Sequence, residues 1–488
     1  MFLQMNRFLK FFFILALTSL FIASCGDDDD DPGSNPVMMD CDDGCPYTED
    51  SFDTVTGQCV NTLITPDCDD NNSSTDDTYD EINCQCNNSF AEGTTNYLFT
   101  VDGYTQEKVQ EALILMQEGD TITFGAGTFD FTTTLSLDDK RKVLIIGAGI
   151  DDTYLDFSGQ TAGAEGLKIT ADSSIVANFT VQNSSGDAIK AKDCNYFSFI
   201  NVGTVWTGEP SIDNGAYGLY PVTSKHILID GCYARGASDA GLYVGQCENV
   251  VVKNSKAEFN VAGIEIENTK YADVYDNVAI NNTGGLLVFD LPGLPAGEGT
   301  NCRAFNNLLE NNNHANFAPS GNIVANVPVG TGLMLLATKN VEFFDNTLIN
   351  NNVMSIGIVD YQVLAALPGG ASSDDPNYIT YPRSVYIHDN EISRTNDCPT
   401  EEANLISGLL MSFFVDCEIP EILWDGITDL DNISGENSIC TKNSGTVVNL
   451  DLGMYNLGDT DHEVFSDFDG FDCTRDPLPP VEVLAPTL

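Results

Sequence analysis

Residues 218–284 contain one pattern three times: G-L-Y-P-V-T-S-K-H-I-L-I-D-G-C-Y-A-R-G-A-S-D-A (218–240), G-L-Y-V-G-Q-C-E-N-V-V-V-K-N-S-K-A-E-F-N-V-A (241–262) and G-I-E-I-E-N-T-K-Y-A-D-V-Y-D-N-V-A-I-N-N-T-G (263–284). The segments are 23, 22 and 22 residues long. Each opens with Gly-apolar-x-apolar, turns, continues as an apolar alternation and turns again at Asn or Asp. A fixed period near 22 with short alternating strands is typical of stacked coils that bury their apolar faces against one another.

The repeat predicts an all-β fold, a right-handed parallel β-helix. A leucine-rich repeat has a similar period, but it requires Leu-x-x-Leu-x-Leu-x-x-Asn and a helical segment in every repeat, and this sequence has neither. Asn recurs after the second strand of the coils, where stacked amides would bond to the turns above and below. This predicted ladder comprises Asn201, Asn254, Asn277, Asn307, Asn346 and Asn390.

The strand phase predicts one outward-facing polar column on the first strand of each coil. In Gly-Leu-Tyr-Val the second and fourth side chains point inward and the third points outward, because side chains alternate along a strand. Stacked coils then place the third positions about 4.8 Å apart per step. From these and the neighbouring outward positions we select six candidate catalytic residues, walled by enlarged turns at 203–217, 291–301 and 313–331: Lys190, Tyr220, Tyr243, Glu265, Glu267 and Asp290.

These residue types allow two kinds of chemistry. In a polysaccharide lyase or C5-epimerase, a base removes the proton alpha to a uronate carboxylate, a cation neutralises that carboxylate, and a tyrosine donates to the leaving oxygen. In a glycoside hydrolase, two carboxyl groups act as a pair, and their separation distinguishes retention from inversion. Carbohydrate binding without chemistry is a third interpretation, and packing of outward side chains alone is a fourth.

The composition limits the partners. The 488 residues include 20 Lys and Arg against 73 Asp and Glu, giving a formal net charge of −53. Such a charge repels nucleic acid and makes divalent cations suitable companions. The sequence contains no phosphate-binding Gly-rich loop and no Cys-x-x-Cys-His haem-attachment motif, so neither a nucleotide nor a haem cofactor is predicted.

The N-terminal residues predict export and anchoring. Residues 1–24 have a basic start and an apolar core too short for an ordinary membrane span, which indicates a signal peptide. The end of that core, I-A-S-C, resembles the bacterial lipobox, which implies lipidation of Cys25. Residues 25–39 form an acidic tether. Its run at 27–31 resembles an export signal to the outer face of the outer membrane, although a solvated acidic linker is the alternative. The predicted location is the outer membrane, lipid-anchored and exposed at the cell surface.

Residues 40–90 form a Cys-rich acidic repeat pair with an offset of 27 residues. Closely spaced carboxylates beside Gly or Asn suit calcium, although the EF-hand Glu at position twelve is missing. A disulfide-stapled acidic spacer without metal is the alternative. Fifteen Cys in an exported chain favour disulfides. The candidate calcium ligands are Asp40, Asp42, Asp43, Asp50, Asp67, Asp69, Asp70 and Asp77.

A helix at 104–118, with Thr105 as its N-cap, precedes the strand signals G-D-T-I (119–122), G-T-F (127–129) and L-I-I-G-A-G (144–149). This order resembles the entry to β-helices of the pectate-lyase-like superfamily, in which the helix caps the open end of the coil. We therefore assign 91–455 to the β-helix and 456–488 to an acidic C-terminal tail.

The chain most resembles exported lipoproteins with parallel β-helix repeats, which are distantly similar to alginate C5-epimerases and pectate lyases. The residues that carry the resemblance are G-A-Y-G-L-Y-P-V (215–222), A-G-I-E-I-E-N (262–268), N-N-T-G-G-L-L-V-F-D-L-P (281–292) and N-F-A-P-S-G-N-I-V-A-N-V-P (316–328). The resemblance implies a polysaccharide partner, a lipid anchor and a c-type-cytochrome-like protein partner, without a settled activity. A non-catalytic scaffold that docks a protein through the same face is the alternative.

Overall fold

The structure is a computed structural model with two compact units, Met1–Pro66 and Asp67–Leu488. It describes residues 41, 48–56, 58–64, 68, 75–80, 85–90, 94–366, 373, 375–395, 408, 410, 414, 418–428, 438–450, 452 and 471–488. In the first unit, β1 (Thr48–Asp53) and β2 (Gln58–Leu63) form an antiparallel hairpin, and a disulfide joins Cys41 to Cys59.

The second unit begins with another antiparallel hairpin, β3 (Thr75–Asp80) and β4 (Gln85–Phe90). Its first coils then comprise β5 (Asn96–Phe99), α1 (Gln106–Leu115), β6 (Thr121–Phe124), β7 (Gly127–Asp130), β8 (Thr133–Arg141), β9 (Leu144–Ile146), β10 (Thr153–Asp156), β11 (Ala162–Asp172), β12 (Ile175–Gln182), β13 (Ile189–Lys192), β14 (Asn195–Val205), β15 (Tyr217–Val222), β16 (Lys225–Asp230) and β17 (Tyr233–Arg235).

The later coils comprise β18 (Ala240–Gly245), β19 (Glu248–Lys253), β20 (Lys256–Glu258), β21 (Ala262–Glu267), β22 (Lys270–Tyr275), β23 (Val278–Ile280), β24 (Gly284–Phe289), β25 (Thr300–Phe305), β26 (Leu308–Glu310), the 3-10 helix η1 (Ile323–Asn326), β27 (Thr331–Leu336), β28 (Lys339–Phe344), β29 (Thr347–Ile349), β30 (Met354–Val359), α2 (Tyr361–Ala365), β31 (Arg383–His388), β32 (Glu391–Ser393), β33 (Ile422–Trp424), β34 (Ile439–Lys442) and β35 (Val447–Asn449).

These strands form two long parallel sheets, which confirms the predicted parallel β-helix. The first sheet has 11 described strands: β8, β11, β13, β15, β18, β21, β24, β27, β30, β33 and β35. The second has 20 described strands and takes two from each regular coil. The repeat aligns as predicted, since Leu219 pairs with Leu242 and Leu242 with Ile264 on successive first-sheet strands.

One continuous hydrophobic core runs through the coils. Its early part is aromatic, with Phe129, Phe157 and Phe197 fully buried, and its later part contains more aliphatic and small residues. Four free cysteines of the described residues are buried: Cys194, Cys232, Cys247 and Cys302. Burial raises the pKa of each of these thiols to about 12, which suppresses thiolate formation.

Helix α1 covers the first coils. The side chain of Thr105 accepts a hydrogen bond from the Lys108 N–H at 3.3 Å, so the predicted N-cap is confirmed. The helix ends at Leu115, slightly earlier than predicted, and Gly119 follows in a left-handed conformation with φ 89°. Its apolar side chains, Val109, Ala112, Leu113 and the following Met116, are buried in the core.

The asparagine ladder is confirmed for four of its six predicted members. Amide Nδ2 donates to the next Oδ1 at 3.0 Å from Asn277 to Asn307, 2.9 Å from Asn307 to Asn346 and 3.0 Å from Asn346 to Asn390. Asn201 and Asn254 were assigned wrongly: they occupy left-handed turn positions with φ 50° and 52°, and Ser255 fills the ladder position beside Asn254. Asparagine tolerates this conformation, so the residue type alone did not distinguish the two positions.

A second ladder went unpredicted. It joins Asn260, Asn282, Asn312 and Asn351 at the next turn of the same coils, with Nδ2–Oδ1 distances of 3.0 Å at each step. Both ladders are buried and satisfy turn backbone groups that would otherwise lack partners. None of the helices in the described part of the chain has the length and apolar character needed to span a bilayer.

Candidate functional site

From β18 onward, the outward face of the first sheet is covered by chain rather than open to solvent. A second hydrophobic cluster lies on it, formed by side chains of the sheet and of the long turns. Phe289 and Met334 contribute from the sheet, and Val324 and Val327 contribute from the turn 313–331. The turn 313–331, which was expected to wall a cleft, therefore covers the sheet instead, because its own apolar residues bury against it.

The predicted catalytic column is consequently buried along most of its length. Tyr243, Glu265, Glu267 and Asp290 retain 4, 1, 7 and 2% of their exposure, which corrects the expectation of a solvent-facing surface. Alternation placed these side chains on the correct side of the strand, and strand register confirms that Lys190 stacks on Tyr220 and Tyr243 on Glu265. The sequence pattern did not show what covers them. Their catalytic roles stay predictions.

Three tyrosine rings pack together at the centre of this column. The centroids of Tyr217 and Tyr220 lie 4.5 Å apart, those of Tyr217 and Tyr243 4.5 Å, and those of Tyr220 and Tyr243 4.9 Å. Lys190 Nζ lies 4.6 Å from the Tyr220 ring centroid. The same amine is 3.4 Å from Asp187 Oδ2 and 4.0 Å from Glu165 Oε1, so carboxylates hold the lysine at the edge of the tyrosine cluster.

Beneath the tyrosines lies a trio of buried carboxyl groups, Asp239, Glu265 and Glu267. Tyr243 Oη donates to Glu267 Oε1 at 2.7 Å, and Asn322 Nδ2, from the turn above, donates to Asp239 Oδ2 at 3.2 Å. Burial raises the pKa of Asp239 to about 7, and repulsion from Glu267 adds to this. Burial likewise raises the pKa of Glu265 and of Glu267. The trio therefore holds protons at a pH where exposed carboxyl groups would be ionised.

The alternation rule missed Asp239. It precedes β18, in the turn where the period of two does not yet apply. The only sequence signal would have been a carboxyl residue adjoining the Ala-Gly opening of a coil. Among the described residues, no group of three or more Asp, Glu, His or Cys side chains is arranged to hold a metal. The trio of Asp239, Glu265 and Glu267 is therefore not a metal site by this criterion.

A cavity of about 580 Å³ opens beside Asp290, at the end of β24. The segments 291–298 and 375–381 form its walls, and Lys339 and Arg383 enter from the starts of β28 and β31. Arg383 is buried and forms an ion pair with Glu298. The described lining is Asp290, Leu291, Pro292, Gly293, Leu294, Gly297, Glu298, Lys339, Asp375, Asn377, Tyr378, Ile379, Tyr381 and Arg383.

Hydrogen bonds position Asp290 in this cavity. Its Oδ1 accepts from Asn268 Nδ2 at 2.6 Å and from the Gly299 N–H at 3.2 Å. Tyr378 Oη donates to its backbone carbonyl at 2.5 Å. Burial raises the pKa of Asp290 to about 7, although these donors and the nearby Arg383 charge oppose the shift. Among the six predicted residues, Asp290 is the one that lines this cavity.

The predicted calcium ligands lie mostly outside the described residues: Asp40, Asp42, Asp43, Asp67, Asp69 and Asp70. Of the remaining two, Asp50 is exposed on β1 opposite Asn61, and Asp77 is paired with Asn88 through the backbone of β3 and β4. The lipidation candidate Cys25 also lies outside the described residues.

Comparison with known proteins identifies the fold. The model of the right-handed β-helix region matches residues 165–321 and 209–366. The chain is a right-handed parallel β-helix protein. No curated protein sequence matches this β-helix significantly.

Several solved structures are similar to the β-helix. An alginate lyase from Paenibacillus sp. str. FPU-7 shares 15% identity over 62% of this chain and 95% of its own, with a TM-score of 0.40. A polygalacturonase from Erwinia carotovora ssp. carotovora shares 12% over 62% and 92%, with a TM-score of 0.43. PfbA, a surface adhesin of Streptococcus pneumoniae, shares 11% over 61% and 76%, with a TM-score of 0.43.

Proposed function

We propose that the β-helix binds a saccharide unit of a polysaccharide in the cavity beside Asp290. The cavity itself carries the proposal, since its volume of about 580 Å³ falls within the usual range for small-ligand sites, about 300 to 1,000 Å³. Its walls combine the rings of Tyr378 and Tyr381 with cationic, amide and carboxyl groups. A sugar offers an apolar C–H face to such rings and hydroxyl groups that donate to carboxylates and accept from cations and amides.

Proton transfer at Asp290 is the second candidate function. A carboxyl group with a pKa of about 7 can act as general acid or base near neutral pH. The guanidinium of Arg383 provides a positive charge in the same cavity, which suits a uronate. Lyase, epimerase and hydrolase chemistry remain alternatives. Tyr243, Glu265 and Glu267, the buried residues of the column, would take part only if the turn 313–331 moved, whereas Lys190 and Tyr220 are half-buried.

Binding is tested with Tyr381→Ala, which removes an aromatic wall of the cavity. We expect at least an about tenfold loss of affinity, measured by calorimetry with the best ligand from an array of neutral and acidic polysaccharides. Tyr154→Ala, a half-buried tyrosine of an early coil, is the matched control and should bind normally. If no polysaccharide binds, the scaffold alternative is favoured. If ultraviolet-absorbing or reducing ends form and Asp290→Asn abolishes them without weakening binding, the protein is an enzyme.

We also propose that the acidic repeats at 40–90 bind calcium. The observation behind this is the spacing of their eight candidate aspartates. The polysaccharide measurements should therefore be made with calcium and with a chelator. A calcium-dependent rise in the melting temperature of the intact protein would support a site, whereas identical melting curves would favour the metal-free spacer.

A lipid anchor at Cys25, with display at the cell surface, is a further proposal that rests on the I-A-S-C sequence and the acidic run after it. Two or more acyl chains would give a stable anchor. Mass spectrometry of the mature N-terminus should find an acylated Cys25, and surface protease should reach the protein on intact cells. An unmodified N-terminus at any other residue would contradict the anchor.

A further inference from the structure

A strap, residues 471–488, lies along the outward side of the second sheet. It forms no helix or strand, and it runs backward from one of the last coils toward the early ones. A disulfide between Cys473 and Cys440 fixes its start at β34. The strap follows what we term the outer column, the outward positions of successive second-sheet strands in register: Ser198, Leu228, Val251, Asp273, Arg303, Glu342, Tyr386 and Cys440.

Beyond its start, three hydrogen bonds join the strap to the outer column. The Leu478 N–H donates to Glu342 Oε2 at 2.8 Å, and the Val481 N–H donates to Asp273 Oδ2 at 3.1 Å. The Ser198 hydroxyl donates to the Pro486 carbonyl. Both carboxylates thus accept from backbone rather than from strap side chains. Any extended peptide could make these contacts, because every residue except proline carries an N–H.

The spacing of these contacts matches an extended proline-rich chain. Glu342 and Asp273 are two coils apart, about 9.6 Å at about 4.8 Å per coil. Val481 follows Leu478 by three positions, an offset that spans about 9.3 Å in polyproline II conformation. Pro479 and Pro480 lie between them and favour this conformation. An extended strap backbone therefore matches the distance between Glu342 and Asp273.

The groove also buries apolar surface. Leu228 and Val251 point away from the core, yet they retain only 7 and 8% of their exposure. They lie on the two coils between Asp273 and Ser198, which the strap crosses from Val481 to Pro486. An apolar floor with charged contacts on one side is typical of a peptide-binding groove, where backbone bonds give affinity and pockets give specificity.

The strap leaves part of the outer column unsatisfied. Among the described residues, Asp273 Oδ1 and Arg303 Nε and Nη1 are buried without a hydrogen-bond partner. Arg303 has only loose ion pairs, 3.5 Å to Asp273 Oδ2 and 4.0 Å from Nε to Glu342 Oε2. Between the strap residues that bond to Glu342 and Asp273 lie Pro479 and Pro480, which have no N–H to donate. Buried polar groups are ordinarily paired, so a better ligand than the strap is expected.

We propose that the outer column is a binding groove for an extended peptide of a partner protein, and that the strap occupies this groove until that peptide binds. The partner peptide offers an N–H to Asp273 Oδ1, where the strap has its two prolines, and directs a backbone carbonyl to Arg303. It keeps the two backbone contacts to Glu342 and Asp273 Oδ2 and covers Leu228 and Val251. Binding displaces the strap, which stays attached to its own coil through the disulfide at Cys473.

The test uses the full-length protein and two labelled synthetic peptides. One has the strap sequence 476–488, and the other has that sequence with Pro479→Ala and Pro480→Ala. The protein variant is Leu478→Pro with Val481→Pro, which stays extended but loses both N–H contacts to carboxylates. Since this weakens the resident strap, we expect the variant to bind the labelled peptides at least about tenfold tighter than the wild type, measured by fluorescence anisotropy. The alanine peptide should bind tighter than the proline peptide.

Controls distinguish the loss of the two strap contacts from a general destabilisation of the fold. Glu482→Pro removes an N–H that makes no hydrogen bond among the described residues, and it should behave as the wild type. Hydrogen exchange of the wild type should show slow amides at Leu478 and Val481 and fast amides at Glu482 and Leu484. Equal affinity of the wild type and the variant for both peptides would overturn the proposal. Concentration-dependent dimers of the variant without peptide binding would also overturn it, since the strap would then exchange only between copies.

Discussion

Raising the pH from about 5 to about 8 should lower the free energy of unfolding of this protein by several kcal/mol. The reason is a set of buried carboxyl groups whose pKa is raised in the folded state. The pKa of Asp239 and of Asp290 is raised to about 7 and that of Asp425 to about 8, in each case chiefly by burial. Burial also raises the pKa of Glu265 and Glu267.

The sign follows from proton counts. Between the ordinary carboxyl pKa and the raised one, the folded protein holds a proton that the unfolded chain has released, so stability falls as the pH rises. Each such group contributes about 1.4 kcal/mol per pH unit at most, until the pH passes its folded pKa. The carboxyl groups with lowered pKa act in the opposite sense but lie at or near the surface, as Asp53 and Asp389 do, so solvent weakens their effect.

Glu265→Gln isolates this effect from the general charge repulsion of a chain with net charge −53. The amide keeps the shape of the protonated acid, so we expect little change near pH 5 and a gain of about 1 to 3 kcal/mol near pH 8. Urea denaturation at both pH values measures it, with the exposed Glu209→Gln as control. A stability curve that is flat from pH 5 to 8, or that rises, would contradict the raised pKa values of the trio.

Asn307→Ala should destabilise the protein by about 3 to 5 kcal/mol. Asn307 Oδ1 accepts from the Asn277 N–H at 3.1 Å and from Asn277 Nδ2 at 3.0 Å, while its own Nδ2 donates to the Val274 carbonyl at 2.9 Å. Alanine leaves the Asn277 N–H without its acceptor, removes the side-chain donor to the Val274 carbonyl and leaves Asn277 Nδ2 with only the Val252 carbonyl. The cost is large because each unsatisfied buried group loses its hydration without compensation.

Two further variants provide a scale for the loss of stability caused by Asn307→Ala. Asn307→Ser keeps a hydroxyl, as Ser255 and Ser444 do at the ladder's ends, and should cost less than alanine. Asn195→Ala, whose amide bonds Asp172 near the surface, should cost less than about 1 kcal/mol in the same denaturation experiment. Equal losses for Asn307→Ala and Asn195→Ala would show that the ladder adds little to stability.

The covered column shows where prediction from the sequence stopped. Strand alternation placed Tyr243 and Glu265 outside the core, and the register agrees. It did not reveal that Val324 and Val327, about eighty residues after Tyr243 in the chain, join that tyrosine in one buried cluster. A long irregular turn carries no periodic signal, so its path was not predictable.

The cavity beside Asp290 and the strap groove were likewise not predictable from the repeat pattern. Asp290 was selected for its position beside a strand end, but Tyr378 and Arg383 join it from segments almost ninety residues away. The sequence of the predicted acidic tail did not indicate that the backbone N–H groups of Leu478 and Val481 would donate to the carboxylates of Glu342 and Asp273. These contacts depend on which coil a distant segment reaches.

The sequence by itself determined the repeat: its period of about 22, the inward and outward phase of each strand, the cap at Thr105 and most of one asparagine ladder. These features are local, because each coil repeats the same backbone geometry and each residue type is dictated by its place in one coil. Only the tertiary structure decided which outward surfaces remain open. The turns and the strap cross several coils, and their apolar and backbone groups pack and hydrogen-bond with side chains that are distant in the sequence. For this reason the column around Tyr243 is covered, whereas the cavity beside Asp290 is open.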